Sequence, residues 1–279
     1  CWVGIRHRRK AAAGGEAREY FLAGSTLTWP MIGMALFATN ISCVHLVSLA
    51  QAGFDTGLLM GNFEWMAAFT LVLLGLFFAP FYIRSRVSTL PDFLEKRYSR
   101  ECRDWLAVLS MISAITIHIG FSMVTGSIVL HGMFGINVWV SIIAMAVLTG
   151  LYTIAGGLSA VIFADMVQSA ILILGSVVLT VIGLHQVGGF QALAQALPPD
   201  FFHMIKPMDH PVYPWTGTTL GIFIMGIWYW ATDQAIVQKA LSAKNINHAR
   251  IGLHFTALLK VLPVFILVLP GLIARALWP

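Results

Sequence analysis

The chain has 279 residues, of which 58% are hydrophobic and only 10% charged, and its mean hydropathy is +0.81. A soluble domain carries about 25% charged residues, so soluble globular and disordered classes are excluded. The formal charge of +5 comes from separate clusters rather than one basic face, which excludes a nucleic-acid footprint as well.

The clusters are Arg6, Arg8, Arg9, Lys10 and Arg18; then Arg84, Arg86, Lys96, Arg97, Arg100 and Arg103; then Lys239, Lys244 and Arg250. The stretches between them carry few cations, chiefly Lys206 and Arg275. Cytoplasmic loops of membrane proteins concentrate Lys and Arg, so the three clusters mark one side, and nearly all of these charges are expected to be solvated. Cys1, Cys43 and Cys102 have no paired spacing, and neither a disulfide nor a cysteine metal site is expected. The opening Cys1-Trp2-Val3-Gly4 reads as the tail of a helix, and the chain reads as a segment of a longer protein.

A helix needs about 20 apolar residues to cross about 30 Å of hydrocarbon. Seven stretches qualify, near 29–51, 58–82, 106–132, 138–155, 160–184, 216–236 and 251–276. In alternation from the inside, they return the third basic cluster to the inside. Residues 1–28 form a helix end and a cytoplasmic linker, and 185–215 an outer loop.

The first span has a polar break at mid-depth, Ala38-Thr39-Asn40-Ile41-Ser42. Broken transporter helices free backbone carbonyls for cations, although an ordinary helix whose Asn40 bonds to a neighbour explains the same residues. His45 lies further out, at a depth similar to Glu64 on the second span. They either face one cavity or form a buried pair that holds two helices together. The loop 83–104 is predicted to be partly helical, with Pro91 in a first turn. Gly156-Gly157 follows no strand, so it reads as a tight turn and not a phosphate loop.

Ionisable groups at membrane depth cost about 2.5–3.5 kcal/mol each on insertion scales and mark functional sites. Glu64, Asp165, Asp233 and Lys260 are such groups here. Asp165 near the inner end of the fifth span suits a cation exit path, or else a helix N-terminal charge. The outer loop is interrupted by Pro198, Pro199, Pro207, Pro211 and Pro214, and its His203, Asp209 and His210 match no strong metal spacing. On the sixth span Trp228, Tyr229 and Trp230 lie deeper than an interfacial belt and are expected to line a cavity. Asp233 either caps or pairs within that span. Lys260 lies about 13 Å from the inner end of the seventh span, at about 1.5 Å per residue, too deep for easy snorkelling. Aromatics with Asn, His, Glu and Lys suit a neutral polyol. An intramembrane hydrolase reading has only Ser127 and His131, one turn apart, with nothing to orient them.

The segment IWYWATDQAIVQKALSAKNINHAR at 227–250 closely resembles the signature of the sodium/glucose cotransporter branch of the sodium:solute symporters. FLAG at 21–24, ATNI at 38–41 with His45, NFEW at 62–65, YTIAGGL at 152–158, FADMVQ at 163–168, LKVLP at 259–263 and LPG at 269–271 agree in order. The resemblance implies an all-α, multi-pass integral membrane protein of the plasma or bacterial inner membrane. Its fold would be LeuT-like, with inverted repeats: a first five-helix repeat over 29–184 and two helices of the second over 216–279. It implies Na⁺-coupled sugar uptake by alternating access, with no enzymatic reaction. By position Asn40, His45, Glu64, Tyr229, Trp230 and Lys260 would contact the sugar, Tyr229 as an inner gate and Phe63 as an outer one. Ala38 and Ile41 would offer sodium their carbonyls, and Asp165 would lie on its exit route. Three departures stand out: the eighth and tenth core helices lie beyond Pro279, His118 and Ser122 replace a Lys and an Asp, and Gly226 replaces a threonine-type residue. A symporter for inositol, another polyol or an organic anion is the nearest alternative, followed by a glucose sensor or sodium channel of the same fold.

Overall fold

The computed structural model describes residues 22–278. The expected helix tail, the first basic cluster and Phe21 lie outside them. Among the described residues β structure amounts to one isolated bridge, Leu27 to Ala243.

Four helical runs among these residues are long and apolar enough to cross a membrane, and the bent pair Gly217–Thr232 and Gln234–Leu241 makes a fifth. Two of the four are double. His45–Arg84 turns at Gly57, with φ 73°, and Val138–Val187 turns at Gly157, with φ 57°. At Gly57 a Cβ would stand 2.2 Å from the Phe201 carbonyl oxygen, so only glycine accommodates both the backbone and its neighbour. With Trp29–Asn40 as the inner half of the first span, a whole or broken helix stands at each of the seven expected places.

The elements used below are α1 (Trp29–Asn40), α2 (Cys43–Thr56) and α3 (Gly61–Leu73). The last continues through a π-helical turn into Ala79–Arg84. Next come α4 (Leu90–Arg97), α5 (Arg100–Phe134) and α6 (Val138–Val187). They are followed by α7 (Phe190–Ala196), α8 (Gly217–Thr232), α9 (Gln234–Leu241) and α10 (Ile246–Leu277).

The sequence of α1 is apolar all round, and such a helix belongs in an interior. It packs along α10 and α6. Ile32, Ala35 and Leu36 of α1 join Leu71 of α3 and Leu74 just after it, Ile236 and Ala240 of α9, and Leu253 and Ala257 of α10 in one core. By contrast, the apolar window of α5 buries none of its residues, and Ile112, Ile115, Ile117 and Ile119 face outward. Lipid is a fitting solvent for that surface, since every backbone group of the helix is satisfied internally.

Residues from two basic clusters come together at one end. The Leu90 amide donates to Gln234 Oε1 at 2.8 Å, and the Tyr82 hydroxyl donates to the Ala231 carbonyl at 3.0 Å. These bonds tie the 83–104 region to the break between α8 and α9. Pro91 stands in the first turn of α4 as expected, with Thr89 accepting from the Asp92 amide. Two cations depart from the solvated reading. Lys206 is buried in the loop 185–215, where it meets Asp200 at 2.6 Å, and Lys239 is buried in α9.

Candidate functional site

The helix break between α1 and α2 is where the site begins. Ile41 has left helical geometry (φ −83°, ψ 98°). In an unbroken helix the Ala38 carbonyl accepts from the Ser42 amide and the Ile41 carbonyl from the His45 amide. Here the Ser42 amide points to His45 Nδ1 at 3.4 Å, and the His45 amide donates to the Ser42 carbonyl at 3.0 Å. The two carbonyls expected to face sodium are therefore those whose helical partners are engaged elsewhere. They sit at the C-terminal, partially negative end of α1, which suits a hard cation that prefers oxygen ligands.

Asn40, the last residue of α1, joins this break to three other helices. Its amide donates to the Tyr229 hydroxyl at 3.3 Å, in the last turn of α8, and its carbonyl oxygen accepts from the Lys260 ammonium. Lys260 also meets Glu64 of α3 at 2.5 Å and lies 5.7 Å from the centre of the Trp230 ring. Lys260 is 1% exposed and Glu64 4% exposed, so both charges are out of solvent and neutralise each other. His45 stands at the break itself, its Nδ1 3.4 Å from the Ser42 amide and hydroxyl. The structure thus brings Asn40, His45, Glu64, Tyr229, Trp230 and Lys260 into one neighbourhood. Lys260 sits where α10 loses regularity ahead of Pro263, a residue that cannot donate to the preceding turn.

The aromatic trio does not line one cavity, contrary to expectation. Successive helix residues point about 100° apart, from 3.6 per turn, and the three therefore part company. Trp230 is buried against Tyr229, with ring centres 5.2 Å apart. Trp228 is exposed and lines a separate cleft of about 580 Å³ with Phe63, Tyr213, Thr218 and Met225. Phe63 therefore faces this apolar cleft while its neighbour Glu64 turns inward. At the polar cluster itself the Lys260 ammonium stands between Asn40 and Glu64 and donates to both.

Asp165 is not a solitary carboxylate at a helix start. Its Oδ2 lies 2.6 Å from the Lys239 ammonium and 3.5 Å from Thr39 Oγ1. Lys239 also donates to the Ala35 carbonyl at 3.2 Å and to Thr39 Oγ1. Residue types and positions did not mark Lys239 and Thr39 as partners of Asp165. A signal existed: Lys239 lies three positions after Ile236, on the face of α9 that also buries Ala240. Asp233 has a local role, accepting from the Ala235 and Ile236 amides as the N-cap of α9. Ser127 and His131 are engaged separately, with the Val124 and Ile136 carbonyls. His210 accepts from the Val212 and Tyr213 amides, and among the described residues no group of three His, Cys, Asp or Glu is placed to hold a metal.

The comparisons with known proteins agree with one another. The chain is 39% identical over 287 residues to sodium/glucose cotransporter 1 of Oryctolagus cuniculus, a match that takes in 95% of this chain and 43% of the relative. It is 38% identical over 296 residues to sodium/glucose cotransporter 4 of Mus musculus, covering 100% of this chain and 42% of the relative. A sodium/mannose cotransporter of Bos taurus is 38% identical over 286 residues, covering 96% of this chain and 48% of the relative. The chain therefore spans less than half the length of these relatives. A solved structure, the substrate-bound outward-open state of a Na⁺-coupled sialic acid symporter, superposes with a TM-score of 0.87 at 20% identity. It covers 99% of this chain and 57% of its own, and gives the fold as LeuT-like. The model of the sodium:solute symporter family matches residues 20–279, and the chain belongs to that family.

Proposed function

We propose that the chain carries the sugar and sodium contacts of a sodium-coupled symporter that imports a neutral sugar, such as glucose or galactose, by alternating access. The observation that carries this reading is the charge-neutral cluster of Asn40, Glu64 and Lys260, joined to Tyr229 where two broken helices meet. An internally neutralised pair offers a carboxylate acceptor and an ammonium donor to sugar hydroxyls, and it leaves no net charge to attract an ion in the sugar's place. Trp230 supplies an aromatic face beside it.

In this reading a sugar enters by separating Lys260 from Asn40 and Glu64, and its hydroxyls replace the bonds that the cluster loses. His45 approaches from the outer side, Tyr229 closes the inner side, and Phe63 closes the outer cleft. The Ala38 and Ile41 carbonyls hold sodium at the end of α1, and Asp165 lies on its way inward. Residues 29–184 form the first repeat and 216–279 the opening of the second, with 185–215 between them as the outer loop. The relatives named for sodium/glucose and sodium/mannose cotransport support the same substrate class.

The test is labelled glucose uptake by the full-length protein in proteoliposomes, with and without an inward Na⁺ gradient. Uptake that requires Na⁺ and falls with unlabelled glucose is expected. Its absence in folded protein, with uptake of inositol or an organic anion instead, moves the reading to a sister symporter. Sodium current without sugar flux moves it to a channel or sensor.

A further inference from the structure

The Lys239 ammonium sits in a small cage of oxygens at the inner end of the molecule. Asp165 Oδ2 lies 2.6 Å away and the Ala35 carbonyl 3.2 Å, and Thr39 Oγ1 accepts as well. Lys239 is 5% exposed, and its stem comes from α9, while the oxygens come from α1 and α6. The cage is thus a three-helix junction held by one side chain. A carboxylate, a hydroxyl and a carbonyl together form the kind of oxygen set that hard cations take. Thr39 and Ala35 precede the α1 break by less than two turns, so the cage adjoins the carbonyls that face the break.

We propose that Lys239 is a gating residue whose ammonium acts as a tethered cation. It occupies the Asp165, Thr39 and Ala35 oxygens while the inner path is closed, and it leaves them each time a sodium ion passes inward. The proposal rests on the reading that sodium exits past Asp165. The element that moves is α9, which meets α8 at a bend of 54° beside Asp233. Closure and exit then compete for the same oxygens, so the path cannot hold a passing ion and its lock together. A lysine suits this role because its compact charge sits on a flexible stem.

The test uses the full-length protein with Ala38→Cys as its sole cysteine, all native cysteines being replaced. Ala38 lies between the cage residues Ala35 and Thr39 on α1, so reagent from the inner side reaches it only when the cage opens. An impermeant thiol reagent is applied to the inner face of inside-out vesicles without sodium or sugar. Lys239→Met, which keeps the stem and removes the charge, should label about tenfold faster, as a shift of population toward the open path. Lys239→Arg should label at the parent rate. Because an unpaired Asp165 within a membrane span threatens folding, the neutral double variant Asp165→Asn with Lys239→Met is measured beside it and should also label about tenfold faster. Parent-like labelling in the double variant overturns the proposal. Sodium-driven glucose uptake is measured on the protein without the reporter. Absent uptake with the labelling pattern intact removes the sugar reading and leaves the gate. Intact uptake with unchanged labelling removes the gate alone.

Discussion

At the scale of residues, the Glu64–Lys260 pair is the point of greatest sensitivity. Removing one partner of a buried ion pair leaves an uncompensated charge and costs about 3–5 kcal/mol. Lys260→Ala and Glu64→Gln should each lower the melting temperature in detergent and abolish sugar uptake. The double variant Glu64→Gln with Lys260→Met removes both charges and should regain most of the stability, because no charge is left unpaired. It should still fail to take up sugar, since the donor and acceptor are gone. Melting followed by size-exclusion fluorescence, set beside uptake, checks both halves. Recovered uptake in the double variant would mean that the pair serves structure alone. The depth and charge of Glu64 and Lys260 were readable along the chain. Their contact was not, because Glu64 and Lys260 lie 196 positions apart and only folding sets that distance.

At the scale of elements, turns decide where helices go. Gly57 combines φ 73° with a near contact to the Phe201 backbone. Gly57→Ala places a methyl group there and forces a disfavoured backbone, a strain of about 1–3 kcal/mol. Less monodisperse protein and a lower melting temperature are expected, whereas the same change at Gly150, which has no neighbour within 4 Å of an added Cβ, should be tolerated. In the outer loop, the hydrogen bond from the Lys206 ammonium holds Asp200 below the usual carboxylate range. A depressed carboxylate stabilises above its unfolded value, and the effect fades as pH falls through the folded one. Hydrogen-exchange protection over 198–208, taken relative to the intrinsic rate at each pH, should therefore be unchanged from neutral pH down to the ordinary carboxylate range and fall only in stronger acid. Asp200 is exposed, so the effect should be local to the loop. Protection already lost between neutral and mildly acidic pH would remove the assignment to Asp200.

At the scale of the whole molecule, the electrical argument follows from the neutral site. On the proposed reading, with Glu64 and Lys260 cancelling each other, the charge that moves with a loaded site is sodium's own. One elementary charge crossing 100 mV gains about 2.3 kcal/mol, equivalent to about fiftyfold accumulation by the same arithmetic. Imposing an inside-negative potential on proteoliposomes with equal sodium on both sides should therefore drive sugar uptake. Uptake indifferent to potential would show that a charge from the protein moves back to compensate. The exposed apolar flank of α5 belongs to this scale as well. Its residues read as a membrane span in the sequence, and the structure leaves them facing outward, as lipid requires.

By itself the sequence determined that this chain crosses a membrane several times, where its helices break, and which ionisable groups are too deep to be incidental. Those properties are local: apolar run length, the polar stretch at 38–42, prolines and glycines, and a signature segment at 227–250. Tertiary structure alone decided who meets whom. It put Lys239 on Asp165 instead of in solvent, and it sent Trp228 and Trp230 to different sides of α8. It also set the Lys260 ammonium between Asn40 and Glu64. The physical reason is that a charge in an apolar span must find a partner, and its residue type states that need without naming the partner. Only the packing of α1, α6, α9 and α10 brings the particular oxygens within reach.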